Sequence, residues 1–138
     1  MTEALIAYYR RLLDKGFEYS GSLENASITL ENFGEVSPVC GNPDDYMRLY
    51  IRVNDSVIDD IRYACITDPT TNVALEILCA LAKGKTLDEV AGLREDAFSQ
   101  FLGSEDEGLK DKARGLLELL NKGILEYWAN CNNCFEHR

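Results

Sequence analysis

The sequence contains a single histidine, His137, in a chain of 138 residues. A serine or cysteine nucleophile usually needs a histidine base beside it, so this class of catalytic site is disfavoured. The sequence also lacks the phosphate-binding patterns G-x-x-x-x-G-K-S/T and G-x-G-x-x-G and the nucleophile pattern G-x-S-x-G. We therefore expect a protein that is not an enzyme.

Positive charge is also scarce: the chain has 14 basic and 24 acidic residues, which gives a net charge of −10. Such a surface repels nucleic-acid phosphates and anionic lipid head groups. No run of about 18 apolar residues is present, and the first residues, MTEALIAYYRRLLDKG, are too charged for a signal peptide. We expect a cytoplasmic protein that binds neither nucleic acid nor membrane.

The five cysteines are odd in number and irregularly spaced, which does not suit a disulfide framework in a reducing compartment. They are therefore predicted to be core thiols or metal ligands. Cys79 lies in the apolar run Leu78-Cys-Ala-Leu81 and is assigned to core packing.

Hydrophobic periodicity predicts one α+β domain over residues 1–138. Leu5, Tyr9 and Leu12 mark an amphipathic first helix that ends at Gly16. Three strands are predicted, with the last two forming a hairpin in which Val57, Ile61 and Cys65 share a face: Ser27–Leu30, Tyr46–Val53 and Val57–Ile66.

The rest of the chain is predicted to be helical, with start signals at Pro69, at the Thr86/Glu89 capping box and near Asp96. A long final helix from about Glu107 to Trp128 precedes a polar, cysteine-rich tail from about residue 129. This order of elements predicts a small antiparallel three-stranded sheet with helices packed on one face.

The hairpin brings several metal-ligand residue types to one end of the sheet. In an antiparallel pair the start of one strand lies beside the end of its partner, so five residues should gather there: Cys40, Asp44, Asp45, Cys65 and Asp68. Thiolates and carboxylates bind metal ions. The alternative is that Cys65 packs in the core and Cys40 is a turn residue.

A second cluster lies in the tail, Cys131-Asn-Asn-Cys134-Phe-Glu-His137. Two thiolates at this spacing can chelate zinc or iron, with His137 as a third ligand. The alternatives are a disordered tail or a site completed by another chain. A thioredoxin-like redox role is disfavoured because the motif follows a helix rather than preceding one.

Four stretches occur in the order seen in a known family: Pro38-Val-Cys-Gly41, Met47-Arg-Leu-Tyr-Ile-Arg-Val53, Val57-Ile-Asp-Asp-Ile-Arg-Tyr63 and Lys83-Gly-Lys-Thr-Leu-Asp-Glu89. Together they resemble the iron–sulfur cluster scaffolds of the NifU-like N-terminal or IscU type. In that family three cysteines and an aspartate hold the nascent cluster. The resemblance places the first cysteine at Cys40 and the aspartate at Asp45, or at Asp44 because Asn42–Asp44 is an insertion.

The other two cysteine positions depart from the family pattern. The second falls on Asp68, with Cys65 three residues earlier, and the third falls near Asp111 and Lys112. A [2Fe–2S] cluster normally takes four ligands, typically thiolates, whereas oxygen-rich sites favour harder ions. The resemblance therefore implies a divergent scaffold.

The leading hypothesis is a scaffold that binds iron or a labile iron–sulfur cluster and docks with assembly partners, among them a cysteine desulfurase, as the resemblance implies. A zinc-binding interaction module that kept the fold is the alternative, and an enzyme using Asp44, Asp45 and Asp68 is a third reading. A final helix that leads away from the sheet end would put the tail cysteines roughly 30 Å from it. The tail would then form a separate site or act in a homodimer.

Overall fold

Residues 2–33 and 45–134 are described by the computed structural model. Its three strands are β1 (Ile28–Phe33), β2 (Tyr46–Asn54) and β3 (Val57–Ile66). They form one antiparallel sheet in the order β1-β2-β3, with Leu30 opposite Leu49 and Leu49 opposite Tyr63. The predicted α+β class and three-stranded sheet are therefore confirmed.

The five helices of this part of the chain are α1 (Glu3–Lys15), α2 (Pro69–Ala82), α3 (Leu87–Ala91), α4 (Glu95–Leu102) and α5 (Glu107–Cys134). The start signals read from the sequence are correct. Asp68 caps α2, and the Thr86/Glu89 capping box opens α3 with bonds of 3.1 and 2.9 Å. None of these helices is long and apolar enough to cross a membrane.

One face of the sheet forms the core. Met47, Leu49 and Ile51 are at most 1% exposed, while Tyr46 and Tyr50 on the opposite face remain partly exposed. On the buried face α2 packs against β3 and α5 packs against β1. Helix α4 packs against both α2 and α5, and α1 packs against α2 and α4. Burial of each large aliphatic side chain stabilises the fold by about 1.5–3 kcal/mol.

The sequence predicted that Val57 shares a face of β3 with Ile61 and Cys65. This prediction was wrong for Val57 because of a β-bulge. Arg52 pairs with Asp60 and Val53 with Ile58, which leaves Asp59 as an extra residue. The extra residue reverses the alternation, so that Ile58 is fully buried and Val57 is partly exposed. The bulge lies beside a tight turn at Asp55 and Ser56, both of which have positive φ.

Irregular segments cover the outer edge of β3. The Tyr63 N–H donates to the Tyr19 carbonyl at 3.0 Å, and the Gly21 N–H donates to the Tyr63 carbonyl at 2.8 Å. Nearer the turn, the Ile58 N–H donates to the Lys85 carbonyl at 2.8 Å. These bonds satisfy backbone groups that would otherwise offer this edge to another strand.

Glu76 is the one charged residue inside α2, and it anchors the edge segment. Its side chain is buried, with Oε2 3.0 Å from both the Tyr19 N–H nitrogen and the Tyr63 hydroxyl oxygen. Burial raises the pKa of this carboxyl group, while the two hydrogen bonds partly oppose the rise. The carboxylate therefore links α2, β3 and the segment that follows α1.

Gly123 allows α5 to approach β1 closely. A Cβ atom added at this position would lie 2.6 Å from Cδ2 of Leu30 and 3.3 Å from its Cγ. Any larger residue would therefore push Leu30 or the helix away.

We predict that Gly123→Ala destabilises the wild-type protein by about 1 kcal/mol, because the clash outweighs the better helix propensity of alanine. In a Leu30→Ala background the clash is gone, and the same change should be neutral or stabilising by up to about 1 kcal/mol. Urea unfolding of the four proteins in this double-mutant cycle measures both values. Equal effects of Gly123→Ala in the two backgrounds would contradict the predicted contact.

We also predict a pH-dependent difference between wild type and Glu76→Gln. The folded-state pKa of Glu76 lies above its ordinary value, so its contribution to stability is greatest below pH about 4.5 and is lost as pH rises through the raised pKa. As pH rises through the raised pKa of Glu76, the wild type should therefore lose stability relative to Glu76→Gln. Urea unfolding at a series of pH values tests this, with the exposed Glu126→Gln as a charge control, and a pH-independent difference would refute it.

Candidate functional site

The candidate site lies at the end of the sheet where β2 begins and β3 finishes. Tyr46 pairs with Ile66 and Met47 with Cys65, so Asp45, which precedes Tyr46, lies at the same end as Cys65. The chain then leads through Thr67 and Asp68 directly into α2. Cys40 and Asp44, which the sequence predicts for this site, lie outside the described residues.

Cys65 lies at the end of β3. It is partly buried and packs on the edge of the core, while the Thr67 hydroxyl donates to its Sγ at 3.6 Å. The sequence allowed a core-packing role for Cys65, and one side of the residue does pack against the core. The rest of the thiol lies at the sheet end, beside the segment that leads to Asp68.

Asp68 uses its two carboxylate oxygens differently. Oδ1 accepts the Thr71 N–H at 2.7 Å and caps α2, an interaction that typically stabilises a helix by about 1 kcal/mol. Oδ2 lies 3.7 Å from Nζ of Lys112, a residue of α5. One oxygen therefore maintains the helix, and the other faces a neighbouring charge.

Lys112 reaches Asp68 because α5 begins beside the first turn of α2. A Cβ atom on Gly108 would lie 3.7 Å from Cγ2 of Thr70, and Lys112 follows one helical turn later. The Lys112 side chain is only 20% exposed. Asp111 is instead 69% exposed and pairs with Arg114 at 3.0 Å.

This ion pair was missed in the sequence, although its two members had been singled out. The family resemblance places two cysteine positions at Asp68 and near Lys112, and the structure brings these two residues into contact. The only hint of this pair in the sequence was that the two residues carry opposite charges. Sequence alone could not give their proximity, because they lie on different helices.

The donors of this region do not by themselves form a metal site. Across residues 2–33 and 45–134, no three His, Cys, Asp or Glu side chains lie close enough together to hold a metal ion. Asp45, Cys65 and Asp68 supply one thiol and two carboxyl groups, and Asp68 already pairs with an ammonium group.

Cys79 belongs to the core, as the sequence predicts. It is fully buried in α2, and this burial raises the pKa of its thiol well above the ordinary value. A thiol in this environment is unreactive.

The sequence predicted that the last helix ends near Trp128, but α5 continues to Cys134. Cys131 and Cys134 are therefore part of this helix. Cys131 and Cys134 are three residues apart, slightly less than one turn of this helix. At a rise of 1.5 Å per residue, Cys131 is about 28 Å along the helix from Lys112. The two candidate clusters are therefore at opposite ends of α5, while His137 lies beyond the described residues.

The sequence model of the NifU-like N-terminal domain family matches residues 17–133. Two curated relatives are named iron–sulfur cluster assembly scaffold proteins IscU 1 and IscU 2, both from Archaeoglobus fulgidus. Each is 28% identical over 109 residues, which cover 78% of this chain and 67% of the relative.

Solved structures share the fold. One is FiSufU from Fervidobacterium islandicum AW-1, named as an iron–sulfur cluster assembly scaffold protein for the SUF system. It aligns with a TM-score of 0.61 and 18% identity, over 90% of this chain and 96% of its own. The N-terminal part of a nitrogen-fixing NifU-like protein from Brucella abortus aligns with a TM-score of 0.53 and 15% identity, over 99% of this chain and 94% of its own.

The solved structures show the fold, and the sequence match shows the family. The three-stranded sheet with helices on one face is the architecture of these solved neighbours. Because the family match spans residues 17–133, this chain belongs to the NifU-like N-terminal domain family.

Proposed function

We propose that this protein is an iron–sulfur cluster assembly scaffold that holds iron or a labile cluster at the end of the sheet. Family membership and the names of both curated relatives support this function. The pairing of β2 with β3 is the structural observation that carries it, because the pairing brings Asp45 and Cys65 to one sheet end. In this proposal Cys40 completes the site, together with Asp44 or Asp45 and with Asp68.

The proposed donor set suits a cargo that is passed on. Cys40 and Cys65 offer two thiolates, whereas a [2Fe–2S] cluster normally has four ligands. Carboxylate oxygens from Asp45 and Asp68 are weaker ligands for the soft cluster iron. A cluster held in this way is labile, and a partner that offers more thiolates can remove it. The protein binds and transfers its cargo and does not catalyse a reaction.

The proposed activity requires other proteins. Cluster assembly needs a source of sulfur and an acceptor, and we assign these roles to a cysteine desulfurase and to other iron–sulfur assembly proteins of the cytoplasm. The partly exposed Cys65 thiol at the sheet end offers an acceptor for incoming sulfur.

Anaerobic reconstitution with ferric iron and sulfide tests the scaffold function. We expect the wild type to develop the visible absorbance of a cluster, and we expect Cys40→Ser and Cys65→Ser each to lose most of it, because each change removes one of the two thiolates. Cys79→Ala is the matched control, since Cys79 is fully buried in α2, away from the sheet end. Absence of absorbance in the wild type, or equal absorbance in all variants, would contradict the proposal.

A zinc-binding interaction module is the second candidate, and the continuation of α5 to Cys134 favours it. A spacing of three residues on this helix puts the two cysteines about one turn apart, and we propose that they supply half of a four-ligand zinc site. The proposal completes this site with His137 and a further ligand, or with the same two cysteines of a second copy in a homodimer.

Zinc analysis of protein purified without added iron tests this candidate. We expect about one zinc ion per chain if His137 helps to close the site, or about one per two chains if a second copy does. Cys131→Ser should remove the zinc, whereas Cys40→Ser should not. Light scattering separates the monomer from the dimer. A zinc content that is unaffected by Cys131→Ser would reject the tail site.

A further inference from the structure

We propose that the outer edge of β1, together with α5, binds a short extended segment of a partner protein that carries lysine or arginine. The binding surface is a cleft of about 200 Å³ between residues 27–30 and four residues of α5: Gly123, Glu126, Tyr127 and Asn130. We call it the β1–α5 cleft. This inference goes beyond the proposed function, because the cleft includes none of the sheet-end donors.

The two edges of the sheet differ in what covers them. Backbone groups of Tyr19, Gly21 and Lys85 bond to the outer edge of β3. In the part of the chain that the structure describes, no backbone N–H or C=O group bonds to the outer edge of β1. Alternate residues of an antiparallel strand direct both backbone groups to the same side, so β1 presents donors and acceptors to a further strand. The connection to β2 leaves at Phe33, at the other end of β1 from the cleft.

Helix α5 forms one wall of the β1–α5 cleft. Residues 27–30 span about 10 Å of strand, and the stretch from Gly123 to Asn130 spans about 10 Å of helix, so the two sides match in length. They also lie close together, since a Cβ atom on Gly123 would be 2.6 Å from Cδ2 of Leu30. Domains that add a peptide strand to their sheet bind its backbone through hydrogen bonds and its side chains in adjacent pockets. Here β1 offers the hydrogen bonds and α5 the side-chain contacts.

The charge of the cleft determines which segment it binds. Of the described residues that line it, Glu126 alone is charged, and the whole chain has a net charge of −10. A segment that carries lysine or arginine is therefore attracted, whereas a second copy of this acidic chain is repelled. Leu30 and Tyr127 are partly buried and offer apolar contact. Because side chains two residues apart in a strand share a face, the fitting segment has a basic and an aliphatic residue at this spacing.

Titration of the isotopically labelled protein with a synthetic peptide, followed by amide chemical shifts in NMR spectra, tests this inference. The probe is the octapeptide Thr-Val-Thr-Lys-Thr-Val-Thr-Lys, which has valine and lysine on one face of a strand. We expect shifts at residues 27–31 and from Gly123 to Asn130, and none along the covered edge of β3. The peptide with glutamate in place of lysine should bind about fivefold more weakly, because it meets Glu126 with a like charge.

Backbone methylation of the probe distinguishes strand addition from simple attraction between charges. One peptide carries methyl groups on the amide nitrogens of its threonines, and a second carries them on those of its valines and lysines. Each change blocks hydrogen bonds on one side of the peptide strand and leaves its charge unaltered. We expect one of the two methylated peptides to lose binding and the other to retain it.

Reversal of one charge on α5 tests the role of Glu126. Glu126→Lys should exchange the preference, so that the glutamate peptide binds more tightly than the lysine probe. Glu118→Lys is the matched control, because Glu118 is an exposed residue of the same helix but lines a different cleft with Leu93 and Arg94. It makes the same change in net charge and should keep the preference of the wild type. Circular dichroism checks that both variants are folded.

The inference is overturned if the amides of residues 27–31 do not shift, if both methylated peptides bind like the probe, or if Glu118→Lys exchanges the preference as Glu126→Lys does. Shifts of these amides on dilution without peptide, together with a dimer in light scattering, would place a second copy at the edge and overturn it as well. Peptide binding is measured without iron or sulfide, so its outcome is independent of the scaffold function.

Discussion

The antiparallel pairing of β2 with β3 is the constraint on which the candidate site depends. It places the residue before β2 and the last residues of β3 at one end of the sheet, and the short connection through Asp68 brings the start of α2 to the same end. Helix α5 crosses beside α2 and adds Lys112. Residues distant in sequence therefore meet because one hairpin and one helix pair are fixed.

Two acidic residues, Asp68 and Glu76, join separate elements of this fold. Asp68 caps α2 and at the same time presents an oxygen to the site. Glu76 is buried at the cost of a raised pKa, yet it joins α2 to the segment that covers the edge of β3. A substitution at Asp68 would therefore alter the stability of α2 as well as the proposed site, so variants at neighbouring positions are needed to separate the two effects.

Local sequence signals predicted much of the fold. The alternation in β2, the start of α2 at Pro69 and the Thr86/Glu89 capping box of α3 depend on contacts within a few residues, and each was predicted correctly. The β-bulge at Asp59 was missed because a one-residue insertion leaves no compositional trace. The Lys112–Asp68 pair and the proximity of Gly123 to Leu30 were also missed, because both depend on how α5 packs. The family resemblance identified positions, and only the structure showed that two of them are in contact.

The central claim is that iron is held at the sheet end rather than at the far end of α5. Anomalous diffraction at the iron absorption edge, from crystals of protein loaded anaerobically with iron and sulfide, tests it most directly. The account predicts an iron peak beside Sγ of Cys65 and the carboxylate of Asp68. An iron peak at Cys131 and Cys134, or none beside Cys65, would contradict it.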